Sequence, residues 1–197
     1  MTQPPVDIDP LLLVLQSRYG DPFHVREREA AAQTLLECST DSYPRVIQLL
    51  SSGQAQNPAA LLELLPRFAR EDSVAVLEAL MLNGGERLPR LAAIALARHA
   101  GSAARDALIK ALDASSPDIV VAAADGLLER GDNEACAALI SRSSIDDAQS
   151  RYHILQAALH LDCIGIDALR RIMQSDPDQD VRDLMHDAIA AKESRND

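Results

Sequence analysis

Apolar residues recur along the chain at the spacing of amphipathic helices, and one set of them returns at a nearly constant distance. An interval of about 31 residues separates its successive members, as in stacked helical-hairpin repeats. The set consists of Leu35, Leu65, Leu96, Leu127, Leu159 and Ile189. A second set, with the same period apart from one irregular unit, consists of Leu49, Leu80, Leu112 and Ile172. Two apolar registers that share one period predict a stack of helix pairs.

Proline and glycine divide the periodic segments at short distances. Several breaks place a polar residue directly before a proline, namely Asp21-Pro22, Asn57-Pro58, Ser116-Pro117 and Asp176-Pro177. Such pairs are typical of helix starts, because the side chain caps the first turn and the missing proline N–H has no helical partner there. The pattern predicts about a dozen helices of some three turns each. They span residues 9–19, 24–38, 42–52, 58–70, 73–83, 86–99, 102–113, 117–130, 133–142, 147–162, 165–174 and 178–192.

Three stretches, 91–101, 117–132 and 176–182, resemble HEAT repeats of the short bacterial type named after phycobilisome lyases. In that family an Asp in the turn between the helices commonly accompanies a Val-Arg pair at the start of the second helix. Asp180-Val181-Arg182 matches this pattern and Val25-Arg26 is a shifted match. Pro89 and Val120 stand where the arginine is expected in other repeats. The resemblance is specific for the fold and carries little information on function.

The period and the resemblance together imply an all-α fold. We expect a right-handed α-solenoid, a superhelix of about six antiparallel helix pairs of the HEAT or armadillo type. Residues 1–197 form a single domain in this prediction. The first helix closes the N-terminal end of the stack, and the charged residues from about 193 to 197 form a disordered tail.

Composition limits the classes of partner. Hydrophobic residues make up 47% of the 197 residues, aromatic residues only 3%, and the net charge is −11. An acidic chain is repelled by nucleic acid and by anionic membranes, so a basic or neutral protein partner fits better. No apolar run approaches the roughly 20 residues needed to span a bilayer. The first ten residues show no signal-peptide pattern, and we expect a cytoplasmic protein without a membrane partner.

The cysteines Cys38, Cys136 and Cys163 are odd in number, far apart and free of any CxxC spacing. This pattern favours neither a disulfide framework nor a cysteine zinc site. We therefore expect all of them to be reduced and to pack as small apolar side chains.

Polar residues on the predicted second helices are the candidates for a functional surface. His153 and His160 share one face of the tenth helix, and Asp183 and Asp187 share one face of the twelfth, so the two pairs are expected to face each other across adjacent repeats. Histidine and carboxylate suit a divalent metal. However, histidines seven residues apart lie about 10 Å apart along a helix axis, too far to share one ion. A solvated charged face is the favoured interpretation.

Catalytic interpretations are weaker still. HEAT-like metal hydroxylases rely on His-Glu dipeptides, and no histidine of this chain precedes a glutamate. His160 and Cys163 have the spacing of a nucleophile pair, but the helix end around them disfavours a thiolate. The acidic series from Asp176 to Asp187 lacks the glycine and the terminal glutamate of an EF-hand loop, so helix capping is favoured over calcium binding. We expect no catalytic residue, cofactor or metal.

Basic residues are concentrated in one belt, Arg87, Arg90, Arg98, Arg105 and Lys110. HEAT-like DNA glycosylases combine such a belt with aromatic rings, which this belt lacks, so nucleic acid is not the expected ligand. A second alternative, implied by the resemblance alone, is a phycobilin lyase or chaperone subunit. The favoured prediction is a non-catalytic protein-interaction or scaffold module. Its candidate concave-face residues are Arg90, Asp125, His153, His160, Asp183 and Asp187.

Overall fold

The computed structural model describes residues 6–17, 22–85 and 87–194. Within these residues the chain forms successive helices joined by short turns, as the sequence predicts. Helices account for 78% of the structure, and the described residues contain twelve α-helices and no strand. The helices are α1 (Ile8–Gln16), α2 (Pro22–Glu37), α3 (Ser39–Ser51), α4 (Pro58–Leu64), α5 (Asp72–Asn83), α6 (Leu88–Arg98), α7 (Ser102–Ala111), α8 (Pro117–Arg130), α9 (Cys136–Arg142), α10 (Ala148–His160), α11 (Ile166–Ser175) and α12 (Gln179–Glu193). The all-α prediction is confirmed.

Consecutive helices pair, and the pairs pack side by side. Pairs such as α5 with α6, α7 with α8 and α11 with α12 are joined by short turns and contact each other directly. Among the even-numbered helices, α4 contacts α6, α6 contacts α8, α8 contacts α10 and α10 contacts α12. Among the odd-numbered helices, α3 contacts α5 and α5 contacts α7. This packing of neighbouring helices is consistent with an α-solenoid.

The even-numbered helices approach closely because small residues lie between them. Ala93 on α6 and Ala123 and Ala124 on α8 are almost completely buried. A Cβ atom added to Gly126 on α8 would lie 2.9 Å from Leu108 Cδ2 and 3.1 Å from the carbonyl oxygen of Ala93. The helix backbones are therefore too close at this point for a side chain larger than hydrogen.

The apolar set that predicts the fold lies in the core, with one exception. Leu35, Leu65, Leu96 and Leu127 are fully buried, and Ile189 is 9% exposed. Leu159 is only half-buried, and its neighbour Ala158 occupies the fully buried position on α10. In the second set Leu112 is buried, whereas Leu49, Leu80 and Ile172 are partly buried against the same continuous core. The first register is therefore correct in most repeats and shifted in α10, whereas the second is shifted in α3 and α5, where the neighbouring Leu50 and Met81 are the buried residues.

Helix starts follow the predicted capping chemistry with two corrections. Asn57, Asp147 and Asp178 each accept a hydrogen bond from a backbone N–H of the first turn of α4, α10 and α12. Ser116 has the extended N-cap conformation, but its side chain makes no capping bond. Asp176-Pro177 does not open α12, because the N-cap is Asp178. Asp21-Pro22 is a predicted helix start whose Asp21 lies outside the described residues.

The two ends of the chain are described in part. Leu12 and Leu15 of α1 are buried, and α1 contacts both α2 and α4. At the other end α12 continues to Glu193, one residue into the predicted tail. The remaining prediction of a disordered tail falls on residues 195–197, which lie outside the described residues.

The structure contradicts the expectation that all cysteines are reduced. Cys136, the first residue of α9, forms a disulfide with Cys163 in the turn between α10 and α11. Their Cα atoms are 5.3 Å apart and their separation along the chain is 27 residues. The turn that leads into the α11–α12 pair is thereby linked to α9, the first helix of the preceding pair. Cys38 is a free, half-buried thiol.

Candidate interaction groove

The candidate residues of α8 and α10 form a pair that the sequence did not predict. His153 Nδ1 lies 2.6 Å from Asp125 Oδ1, and the two side chains are 24% and 29% exposed. The Tyr152 ring packs edge-on against the His153 ring, with 5.8 Å between their centroids. His153 was expected to face Asp183 and Asp187 on α12. Its carboxylate partner lies instead on α8, the neighbouring even-numbered helix on the other side of α10.

Asp183 and Asp187 line a groove between the N-terminal halves of α10 and α12, which we call the acidic groove. It encloses about 660 Å³, and its polar lining comprises Gln149, Tyr152, Asp178, Asp180, Asp183 and Asp187. On α12 the positions 180, 183 and 187 fall on one helix face because they are three and four residues apart. Leu184 supplies an apolar contact in the same wall.

The carboxylates of the acidic groove differ in their local partners. Asp178 accepts the backbone N–H of Val181 at 3.2 Å as the N-cap of α12. Asp183 accepts a hydrogen bond of 2.6 Å from the Gln179 amide. Asp187 lies 3.4 Å from the neighbouring His186 ring, and both side chains are largely exposed. These contacts leave most of the negative charge facing solvent.

A second groove continues along the same two helices towards their C-terminal ends, and we call it the apolar groove. Its volume is about 550 Å³, and Leu184 is common to both grooves. The apolar lining includes Leu128, Leu159, Ala188 and Ala191. His160 lies at this end together with Lys192, which is ion-paired with Asp162. The half-buried Leu159 of the apolar register therefore lies in a groove wall.

Three of the five residues of the basic belt form ion pairs with nearby carboxylates. Arg98 pairs with Glu129 at 2.9 Å, and Lys110 pairs with Glu78 at 2.8 Å. Arg105 contacts Asp106 at 3.1 Å and Asp132 at 3.4 Å. Arg90 is exposed on α6 and lines neither the acidic nor the apolar groove. Arg98, Arg105 and Lys110 thus link neighbouring elements, and their pairing leaves less positive charge for contact with phosphates.

A large pKa shift occurs away from the grooves. Burial, assisted by a hydrogen bond with Asp72, raises the pKa of Tyr43 to about 12. The Arg70 guanidinium stands 4.3 Å from the centre of the Tyr43 ring and lowers the pKa of Asp72 by hydrogen bonding. Catalytic sites usually concentrate such shifts in a cleft. Tyr43 and Asp72 belong to the packing of α3 against α5 and do not form an acid–base centre at the grooves.

The candidate residues also form neither a metal site nor a reactive histidine–thiol pair. Among the described residues no group of three or more histidine, cysteine or carboxylate side chains has the geometry to hold a metal ion. Cys163, considered as a partner for His160, has no thiol because it is disulfide-bonded. Sequence reasoning missed both the disulfide and Tyr152 of the acidic groove.

Within the described residues no helix is long and apolar enough to cross a bilayer. Comparison with protein-family models and with curated proteins gives no match to this chain.

Proposed function

We propose that this chain is a non-catalytic protein-interaction module that binds a segment of a partner protein in the groove between α10 and α12. The carrying observation is the continuity of the acidic and apolar grooves through the shared residue Leu184. A path of this kind offers charge at one end and apolar contact at the other. Concave sites of several hundred Å³ with both characters are typical of recognition surfaces.

The chemistry of the groove defines the segment that fits it. Four aspartates face one end, so Lys or Arg is the complementary side chain there. Leu128, Leu159 and Leu184 provide the surface for an apolar side chain at the other end. From Asp180 to Lys192 α12 extends about 18 Å. An extended segment of about six residues covers that length.

The proposal includes the finer architecture expected from the sequence. We place the even-numbered helices on the concave side of a right-handed HEAT-like α-solenoid. The contacts of α6 with α8 and of α8 with α10 are far more extensive than those of α3 with α5 and α5 with α7. In this central part of the stack the even-numbered helices are therefore the more closely spaced layer, as expected of the inner side of a curved stack. Repeat proteins use such inner faces as extended binding surfaces.

Selection of short random peptides on the 197-residue chain, followed by titration of the selected peptides, tests this proposal. The enriched peptides should combine Lys or Arg with a nearby apolar residue. Replacing Asp183→Lys and Asp187→Lys together should weaken their binding on the order of tenfold or more, because charge repulsion replaces attraction. Binding to the wild type should also weaken as salt is added.

The matched control carries the same change in charge away from the groove. Asp106 on α7 and Asp167 on α11 have side chains that are 63% and 88% exposed. The Asp106→Lys, Asp167→Lys variant should retain wild-type affinity. Enrichment of peptides that bind both variants equally would contradict the proposal. So would tight, salt-sensitive binding of duplex DNA without peptide binding, or a coloured product on co-expression with a bilin and its acceptor protein.

A further inference from the structure

The last hairpin, α11 with α12, contacts the rest of the molecule less than the central hairpins contact each other. Helices α11 and α12 contact each other extensively, but α12 contacts α10 much less than α10 contacts α8. The acidic and apolar grooves run along this weaker junction. The spacing of α10 and α12 therefore depends on fewer contacts than the spacing of α8 and α10.

Besides the Lys192–Asp162 ion pair, which joins α12 to the turn after α10, two specific links cross the junction. Arg151 on α10 forms a buried ion pair with Asp176, which lies two residues before the N-cap of α12. The second link is the Cys136–Cys163 disulfide, which ties the turn before α11 to the start of α9. These links lie on opposite ends of the hairpin's first helix α11 (Ile166–Ser175). Together they fix both ends of α11.

The disulfide acts where packing is thin. In α9 only Leu139 is a buried side chain, and the next residue, Ile140, is 48% exposed. α9 contacts α10 and the 3-10 turn at residues 133–135, but it has no comparable contact with α7 or α11. Cys136 and Cys163 are half-buried. The covalent bond thus supplies the connection that side-chain packing supplies elsewhere in the layer.

We propose that the Cys136–Cys163 disulfide is a redox-sensitive clamp on the last hairpin, and that it controls the opening of the groove between α10 and α12. The clamp itself requires no partner, whereas its effect on binding rests on the proposed function. A dithiol reductant opens the clamp: its two thiols supply two electrons and two protons, the S–S bond becomes two protein thiols, and the dithiol becomes a cyclic disulfide. A small disulfide such as oxidised glutathione reverses the step and leaves as two thiols.

Hydrogen exchange of the full chain, measured by mass spectrometry with and without dithiothreitol, tests the clamp directly. Maleimide labelling after denaturation should first find one thiol, Cys38, in the oxidised protein and three after reduction. Reduction should speed hydrogen exchange in α9, α11 and the start of α12 on the order of tenfold. Without the disulfide, local opening of these helices is no longer restricted by a cross-linked loop. Exchange in α6 and α8 should not change.

Two variants test whether the change in hydrogen exchange comes from the disulfide or from the free thiol Cys38. Cys163→Ser should show fast exchange under both conditions, and Cys38→Ser should respond to reductant as the wild type does. Labelling of three thiols without reductant, or equal exchange in α11 with and without it, would overturn the clamp. Titration of a selected peptide then separates the two proposals. Peptide binding with no change in exchange refutes the clamp alone, whereas a change in exchange without any peptide binding refutes the proposed function alone.

Discussion

Arg151 and Asp176 form two parallel hydrogen bonds of 3.0 Å, from Nε and Nη2 to the two carboxylate oxygens. Each side chain is only 8% exposed. The remaining guanidinium donor, Nη1, binds the carbonyl oxygens of Ile145 and Asp146 at 2.9 and 2.7 Å. Arg182, about 31 residues after Arg151, donates in the same way to the carbonyl of Asp176 at 2.8 Å. The turns before α10 and α12 are therefore held by arginines in equivalent positions.

Replacement of Asp176 by alanine should destabilise the protein by about 3–5 kcal/mol, because the buried guanidinium of Arg151 loses its counter-charge. Urea unfolding followed by circular dichroism measures the loss. The control is Asp167→Ala, which removes an 88% exposed carboxylate 3.5 Å from Arg170 and should cost less than about 1 kcal/mol. Equal costs for the two variants would show that the burial of the ion pair does not contribute to stability.

Acid should weaken the same link. Burial opposes ionisation of Asp176, but hydrogen bonds from Arg151 and from the Asp178 N–H hold its pKa below the ordinary range. A carboxyl whose pKa is lower in the folded state contributes its full stabilisation above the unfolded pKa of about 3.9, and loses it as the pH falls through the folded value. The stability difference between wild type and Asp176→Asn should be constant from about pH 7 to 5 and shrink below about 4. A constant difference down to acid unfolding would contradict this assignment.

Much of the fold could be predicted from the apolar period and the proline and glycine breaks. The twelve predicted spans match the helices to within a few residues, because close packing of Leu and Ala leaves a strong periodic signal. The exceptions are local. Phe68 ends a 3-10 turn after α4, where a continuous helix was predicted. Pro66 lies inside that turn and removes a backbone donor, which explains why the α-helix does not continue.

The links between repeats were harder to predict. Cys136–Cys163, Asp125–His153 and Arg151–Asp176 join residues 25 to 28 positions apart. Those separations are a little shorter than the repeat period, so they bring together adjacent repeats. Once the repeat period is known, the sequence alone therefore predicts that these residues lie in adjacent repeats. What the period does not determine is which side chains point towards each other, and His153 accordingly pairs with α8 and not with α12.

Two leucines of the same register should differ in their contribution to stability. Leu127 is fully buried on α8, whereas Leu159 on α10 is half-buried in the wall of the apolar groove. Leu127→Ala should cost about 2–5 kcal/mol by leaving a cavity, and Leu159→Ala less than half as much. Urea unfolding of both variants tests the difference. A larger cost for Leu159 would place it in the core and remove it from the groove.

Gly126 should reject even the smallest side chain, although alanine is the better helix former. In an exposed helix interior the change from glycine to alanine gains about 1 kcal/mol. At Gly126 the new Cβ would lie 2.9 Å from Leu108 Cδ2, 3.1 Å from the Ala93 carbonyl oxygen and 3.4 Å from the Ala93 Cβ. The Leu108 methyl group can rotate away, but the α6 backbone cannot, so α6 and α8 must separate. Overpacking of this kind costs about 1–3 kcal/mol, so we expect Gly126→Ala to lower the free energy of unfolding measured with urea.

The control Gly85→Ala adds a Cβ with no heavy atom within 4 Å and should change stability little. A stabilised Gly126→Ala variant would mean that α6 and α8 are free to move apart, and would contradict the close packing of the even-numbered helices.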